Sequence, residues 1–365
     1  MKSEDLEIIT LTKALLKEAV DNNTYWGYQS KNIPFSKSKA KWLLENDRIE
    51  NDDVCAILGY EKQDIVAFIY MIPDLINTPQ GIKKVFWSRR WWIADKYKDT
   101  ILSTYTRSLS FKAIKNQAII KYIGQETIPY YEKQPFTKFS KRNKHIIVFS
   151  LDSELLLNNI RKLRTVKPLV KLISSLSYNF TAIINKFKNK KRVKGLTYEY
   201  ISFIDNHSWK YIEPFLKNDL VVKTPVYINW QIDNSQYTQV KNKYKSSHYC
   251  LINSSTSNIY NLNFLVKKET IIGFISILVR NTEFHIRYFI TSEDNYDYCV
   301  DALMDNFILA KATIIHTEND KLGRSLNRRY FSTHTKKREI FTLVHKDVNL
   351  ETKNIHITDQ DGNFA

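Results

Sequence analysis

The stretch RRWWIADKYKDTILSTY, Arg89 to Tyr105, holds residue types that can bind an anion. An aromatic and branched run ends at Ile93 and a helical pattern begins after Lys96, so a strand-to-helix turn falls near Ala94 to Asp99. The start of a helix has unpaired backbone N–H groups and the positive end of the dipole, which suits phosphate. Lys96 and Lys98 add charge there, whereas Asp95 and Asp99 are also good caps for a helix that binds nothing. The histidines are scattered. His285 and His316 fall on separate strands with no serine or cysteine partner in sequence, so no metal is expected.

The elements that must position such residues belong to a folded chain. Its 365 residues suffice for two domains, and 43% hydrophobic with 25% charged residues is a globular composition. The N-terminus carries Glu4, Asp5 and Glu7 where a secretory signal would be basic, and no apolar run reaches membrane-spanning length. Cys55, Cys250 and Cys299 are far apart and form no CxxC, so neither a disulfide framework nor a zinc site is indicated. A cytoplasmic location is the expectation. The eight glycines all lie more than ten residues apart, which excludes a GxGxxG fingerprint, a Walker loop and a GxSxG elbow.

Helical spacing runs over Leu11 to Val20 and Lys37 to Leu44. VCAILGY and IVAFIYMI flank the polar turn EKQD as a hairpin, followed by a strand over Lys84 to Ile93 and a helix from Lys98 to Phe111. A strand at Ala118 to Gly124, a helix over Gln125 to Lys133 and a strand at His145 to Leu151 complete the first half. The second half repeats this order. Its hairpin spans Leu262 to Val279, followed by a strand at Phe284 to Ile290, a helix over Asp294 to Ala310, a strand at Ala312 to Thr317, a helix over Lys321 to Tyr330 and a strand at Glu339 to His345.

The net charge of +17 is concentrated. Between Leu156 and Gly195 lie eleven Lys or Arg and no Asp or Glu, which supplies +11 of it. Within this segment Leu169, Leu172, Ile173, Leu176, Phe180, Ile183, Ile184 and Phe187 recur at spacings of three and four, so the spacing predicts an amphipathic helix with a basic tail. It either bridges and packs on both domains or anchors the protein peripherally to an anionic membrane through residues 169–194. Nucleic acid is the weakest partner, because few aromatics interleave the basic run.

The element order resembles that of the Gcn5-related N-acetyltransferase superfamily. KYKDTILS, Lys96 to Ser103, resembles its pyrophosphate loop, and YYEKQPF, Tyr130 to Phe136, resembles its Tyr-Glu-Lys-x-Gly-Phe signature. The whole chain is similar to tandem acetyltransferase-like proteins of bacterial origin. The resemblance implies an α+β fold with two tandem domains, residues 1–155 and 196–346. Each would be a mixed, mostly antiparallel twisted sheet flanked by helices. The basic helix 156–195 would join them, and residues 347–365 form a tail read as an added edge strand or a disordered end.

The resemblance further implies acyl transfer from acetyl-CoA or another acyl-CoA to a primary amine of a small molecule, an amino sugar being one choice. Trp92, Ile93 and Ala94 would meet the thioester, and Lys98, Asp99, Thr100, Ile101, Leu102 and Ser103 the pyrophosphate. Tyr131 would protonate the leaving thiolate. No base announces itself: Glu126 at a helix start and Asp74 at the hairpin end could lie near the acceptor, although capping and surface roles suit both. Tyr25, Trp26 and Tyr28 would meet the acceptor or cover the core. The first copy would carry the chemistry, and the second would shape the acceptor cleft or a dimer without chemistry of its own. The chain departs from the family where Asp99, Ile101, Ser103 and Pro135 occupy glycine positions, and no basic residue or glycine lies between Ile290 and Ala310. Two rival readings follow: a non-catalytic interaction module, and aminoacyl transfer from charged tRNA in cell-wall peptide synthesis, for which the basic surface is useful.

Overall fold

The computed structural model describes residues 6–26, 32–123, 127–153, 156–157, 160–239, 249–252, 255–350 and 355–364. Twelve strands join in one sheet. They are β1 Leu6–Thr12, β2 Val54–Glu61, β3 Asp64–Thr78, β4 Gly81–Ile93, β5 Ala118–Ile120, β6 Phe136–Val148, β7 Thr197–Tyr200, β8 Ile259–Lys267, β9 Ile271–Arg280, β10 Glu283–Thr291, β11 Ile314–Thr317 and β12 His334–His345. The helices are α1 Lys13–Asn22, α2 Lys37–Leu44, α3 Ile101–Ala113, α4 Ile128–Glu132, α5 Lys167–Lys190, α6 Asn206–Ile212, α7 Pro225–Ile232, α8 Tyr296–Leu309 and α9 Asp320–Arg329. The α+β class and the twice-repeated order of hairpin, strand, helix, strand, helix, strand are both present.

Local chemistry sets these elements. β2 and β9 are almost continuously apolar and buried along their length, as strands covered on both faces must be. Thr12, Ser36, Thr100, Thr224 and Asn319 each accept a hydrogen bond from a first-turn amide of the following helix.

The sheet order is β1-β2-β3-β4-β5-β12-β6-β11-β10-β9-β8-β7. Each half therefore receives the last strand of the other: β12 pairs with β5, and β6 with β11. These two strands pair with each other, antiparallel, from Phe136–His345 to Val148–His334. The strand order crosses the sequence divisions at 155 and 196. Most ladders are antiparallel, and the parallel ladders of this sheet, β4–β5 and β10–β11, occupy matching places in the two halves.

Two segments differ from their sequence expectations. The helix α5 does not bury its apolar stripe between the halves. It packs through Val170, Ser174, Thr181, Asn185 and Asn189, and its leucines and phenylalanines face outward. The tail is neither edge strand nor loose end over residues 355–364. It runs into the interior, where Phe364 is buried against Trp42 and Trp230 and Asp361 pairs with Lys223 at 2.8 Å.

Candidate functional site

In the first half β4 and β5 are in register at Phe86–Ala118 and Trp87–Ile119, beyond which they are no longer paired. Opposite β3, Arg90 is an extra residue between Arg89 and Trp91, a bulge held at φ 38°. The space past the ladder is filled. Arg107 of α3 donates to Ser88 Oγ and to the Tyr131 hydroxyl, each at 2.5 Å, and its guanidinium lies 5.4 Å from the Trp91 ring. Tyr130 stands 5.3 Å from Trp91. Burial raises the pKa of Tyr131, against the pull of Arg107.

The turn after β4 is satisfied from within. The Ala94 amide donates to Val66 O at 2.8 Å, and Ile93 is buried beside half-buried Trp92. Lys96 pairs with Glu61, and Lys98 with Asp95 at 2.6 Å. Thr100 caps Leu102, Asp99 is exposed, Ser103 is half-buried, and Ile101 is 82% exposed at the helix start.

The acceptor-side residues are separated. Tyr25 stacks on Tyr60, and Trp26 Nε1 donates to Phe35 O at 2.9 Å, so both cover the first core. Asp74 is fully buried and accepts from Arg48, from Trp87 Nε1 at 2.9 Å, from the Tyr227 hydroxyl at 2.8 Å and from the Leu75 amide at 2.9 Å. Its donors saturate it and tie the hairpin to α7. Glu126 and Tyr28 lie outside the described residues.

The second half repeats the geometry and leaves it open. β10 and β11 are in register at Glu283–Ile314, Phe284–Ile315 and His285–His316, and Arg287 is the bulge residue opposite β9. Past the ladder a cleft of about 640 Å³ opens between Ile286–Thr291 and Glu318–Lys321, closed behind by Ser140 and Arg142 of β6 and by Ile355–Asp359 of the tail. That volume suits a small molecule.

Glu318 lines this cleft at the carboxyl end of β11. Its carboxylate accepts from the Tyr122 hydroxyl and from Arg142 Nη1 at 2.6 Å, and Lys121 Nζ lies 3.4 Å away. Burial, reinforced by the neighbouring Asp359, raises its pKa to about 7, while Lys121 acts in the opposite sense. Lys121 donates to the Thr358 and Asp359 carbonyls at 3.2 and 2.7 Å, and burial lowers its own pKa to about 8. The cleft walls also carry Asp219, Glu293 and Asp320, which pair with Lys223, Lys321 and Arg324 respectively.

Between the two bulges the centre is cationic. Burial lowers the pKa values of Arg89, to about 10, and of Lys144 and Arg287, and repulsion from neighbouring cations adds to this at Arg89 and Lys144. Among the described residues neither Arg89 nor Lys144 has a carboxylate within ion-pair distance. Beside the cleft, the ladder brings His285 and His316 together with Glu283, whose Oε2 is 3.0 and 3.4 Å from their Nε2 atoms. The imidazoles are stacked 4.3 Å apart and within 5° of parallel. Planes so nearly parallel do not meet at one ion, so a shared metal would require one ring to turn. Burial lowers the His285 pKa to about 3.

Glu318, Arg142 and the histidine pair were not assembled from the sequence. The one available signal was position: Glu318 follows a short buried strand, and open α/β clefts form at such carboxyl ends.

No protein-family model matches the chain, and no curated protein matches it. Among solved structures it is similar to a GCN5-related N-acetyltransferase from Kribbella flavida, at 10% identity and TM-score 0.45 over 93% of this chain and 70% of that one. It is also similar to a putative acetyltransferase from Pyrococcus horikoshii, at 10% identity and TM-score 0.48 over 97% and 94%. A third is N-myristoyltransferase from Saccharomyces cerevisiae with bound myristoyl-CoA, at 12% identity and TM-score 0.49 over 94% and 80%.

Proposed function

We propose that the chain transfers an acyl group to a primary amine held in the cleft between β10 and β11, with Glu318 as the base. The observation that carries this reading is a buried carboxyl with a pKa near 7 on the wall of a small-molecule cleft. A base poised near the working pH accepts a proton readily and is still ionised often enough to act. Glu318 takes one proton from the ammonium form of the amine; the neutral nitrogen forms a bond to the acyl carbon, and the donor's leaving group departs with the electron pair of the broken bond and takes up the proton that the nitrogen sheds as the amide forms. Arg142 and Tyr122 hold Glu318 in place.

An acyl-CoA donor brings phosphate, and neither helix start suits it. Asp99, the Thr100 cap and Ile101 crowd α3, while Glu293, Asp294 and Asp297 put negative charge at the start of α8. Arg89, Lys144 and Arg287 at the centre supply the charge that an anionic donor needs. The hostile helix starts support a second reading, aminoacyl transfer from charged tRNA, in which no pyrophosphate is bound there.

The test is thiol release from acetyl-CoA and longer acyl-CoA thioesters in the presence of amines, amino sugars included, with Glu318→Gln as control. Release that depends on the amine and is lost in the variant supports the first reading. No release together with amino-acid transfer from charged tRNA supports the second, and neither activity removes both.

A further inference from the structure

We propose that α5 is a peripheral membrane anchor that lies in the plane of an anionic lipid surface; this stands independently of the transfer reading. Leu169, Leu172, Leu176, Phe180, Ile183 and Phe187 are each between 53% and 75% exposed. At 100° per residue they form one ridge along a helix of 24 residues, about 36 Å long.

The inward face of the same helix is polar and specifically bonded. Asn185 Nδ2 donates to Phe331 O at 2.9 Å and its Oδ1 accepts from the Phe331 amide at 2.8 Å. Asn189 Nδ2 donates to Asp301 O at 3.1 Å, and its Oδ1 accepts from the Tyr330 hydroxyl at 2.5 Å. An ordinary surface helix turns its apolar stripe inward. Here paired amides fix the opposite orientation, so the outward ridge belongs to the built structure.

Charge identifies the occupant. Lys186 and Lys190 lie along one edge of the ridge, Lys188 and Lys191 are exposed with them at its C-terminal end, Lys171 is exposed near its start, and no acid lies between Leu156 and Gly195. Two copies meeting through this ridge would bring like charges together. An apolar ridge that ends in a cluster of lysines fits acyl chains beneath lipid phosphates. No helix of the described residues is long and apolar enough to cross a membrane, so the helix lies on the surface.

Flotation with vesicles tests this on the full chain. Vesicles of equimolar phosphatidylcholine and phosphatidylglycerol should carry the protein at low salt and release it as salt rises, and phosphatidylcholine alone should carry little. The exposed triple variant Leu176→Ser, Phe180→Ser, Phe187→Ser should keep its thermal midpoint and lose flotation. Lys186→Gln, Lys188→Gln, Lys190→Gln should weaken binding on the order of a hundred-fold at low salt. Failure of the unchanged chain to float, or flotation that either variant leaves intact, overturns the proposal. So does a lipid-free dimer in sedimentation velocity that the serine variant dissolves, because the ridge would then receive a second copy.

Discussion

At Glu318 the protonation state decides the chemistry. Its carboxyl is raised to about 7, and only the ionised form can accept a proton from an amine. Under subsaturating substrate the rate of transfer should therefore fall as pH drops through about 7. Glu318→Gln should remove this limb and cost roughly 10²- to 10⁴-fold in rate, measured by thiol release or amino-acid transfer over pH. A full-rate variant with the same pH limb would assign the base elsewhere. Asp74 gives the contrasting case, a carboxylate whose work is structural. Replacing it by Asn leaves Arg48, itself buried, without its counter-charge. The expected cost is about 3–5 kcal/mol in urea unfolding, with the rate per folded molecule unchanged. Sequence placed Asp74 at the hairpin end as a candidate near the acceptor and could not show its structural role, since its partners Arg48 and Tyr227 come from other segments of the chain. Glu318 was hidden for the same reason: Arg142 is 176 residues away.

The tail shows how an element without periodicity can still be fixed. Gly362 has φ 62°, and a Cβ there would stand 2.4 Å from the Trp87 ring. Gly362→Ala should therefore lower stability by about 1–3 kcal/mol, seen as a lower Tm, by lifting the tail from its seat. An unchanged Tm would mean that the tail adds little to the fold. Hydrophobic period made most elements legible: α2 spans Lys37–Leu44 as the spacing predicts, and both hairpins fall where their apolar runs do. Period says that a helix is amphipathic, however, and not which face the protein takes. In α5 the decision rests on Asn185 and Asn189 and their partners near residue 330, which no local pattern announces. The first part of β6, Phe136 to Lys144, escaped notice because Lys138, Lys141, Arg142 and Lys144 interrupt any apolar alternation. It is a strand because β12 lies beside it through eight register pairs, from Phe136–His345 to Lys144–Arg338.

Across the whole molecule the exchange of last strands makes each half incomplete alone. In a fragment of residues 1–195, β5 would keep β4 as its one neighbour, and β6 would lose both β12 and β11. A strand without ladder partners exposes backbone groups that need pairing and an apolar face, including Ile147, that needs cover. The halves are also joined away from the sheet. Trp42 of α2 and Trp230 of α7 stack 4.0 Å apart, and each indole donates to the other's backbone carbonyl at 2.6 and 2.7 Å. We therefore expect the full chain to unfold in one transition, with circular dichroism and tryptophan fluorescence coincident in urea. Fragment 1–195 alone should aggregate or lack a cooperative transition, and co-expression with 196–365 should recover a soluble complex. If the fragment alone unfolds cooperatively with native-like fluorescence, the exchanged strands are dispensable and the halves fold independently. The cleft at Glu318 would be lost with the exchange, because Arg142 reaches it on β6 from the first half while the tail closes it from the last residues of the second.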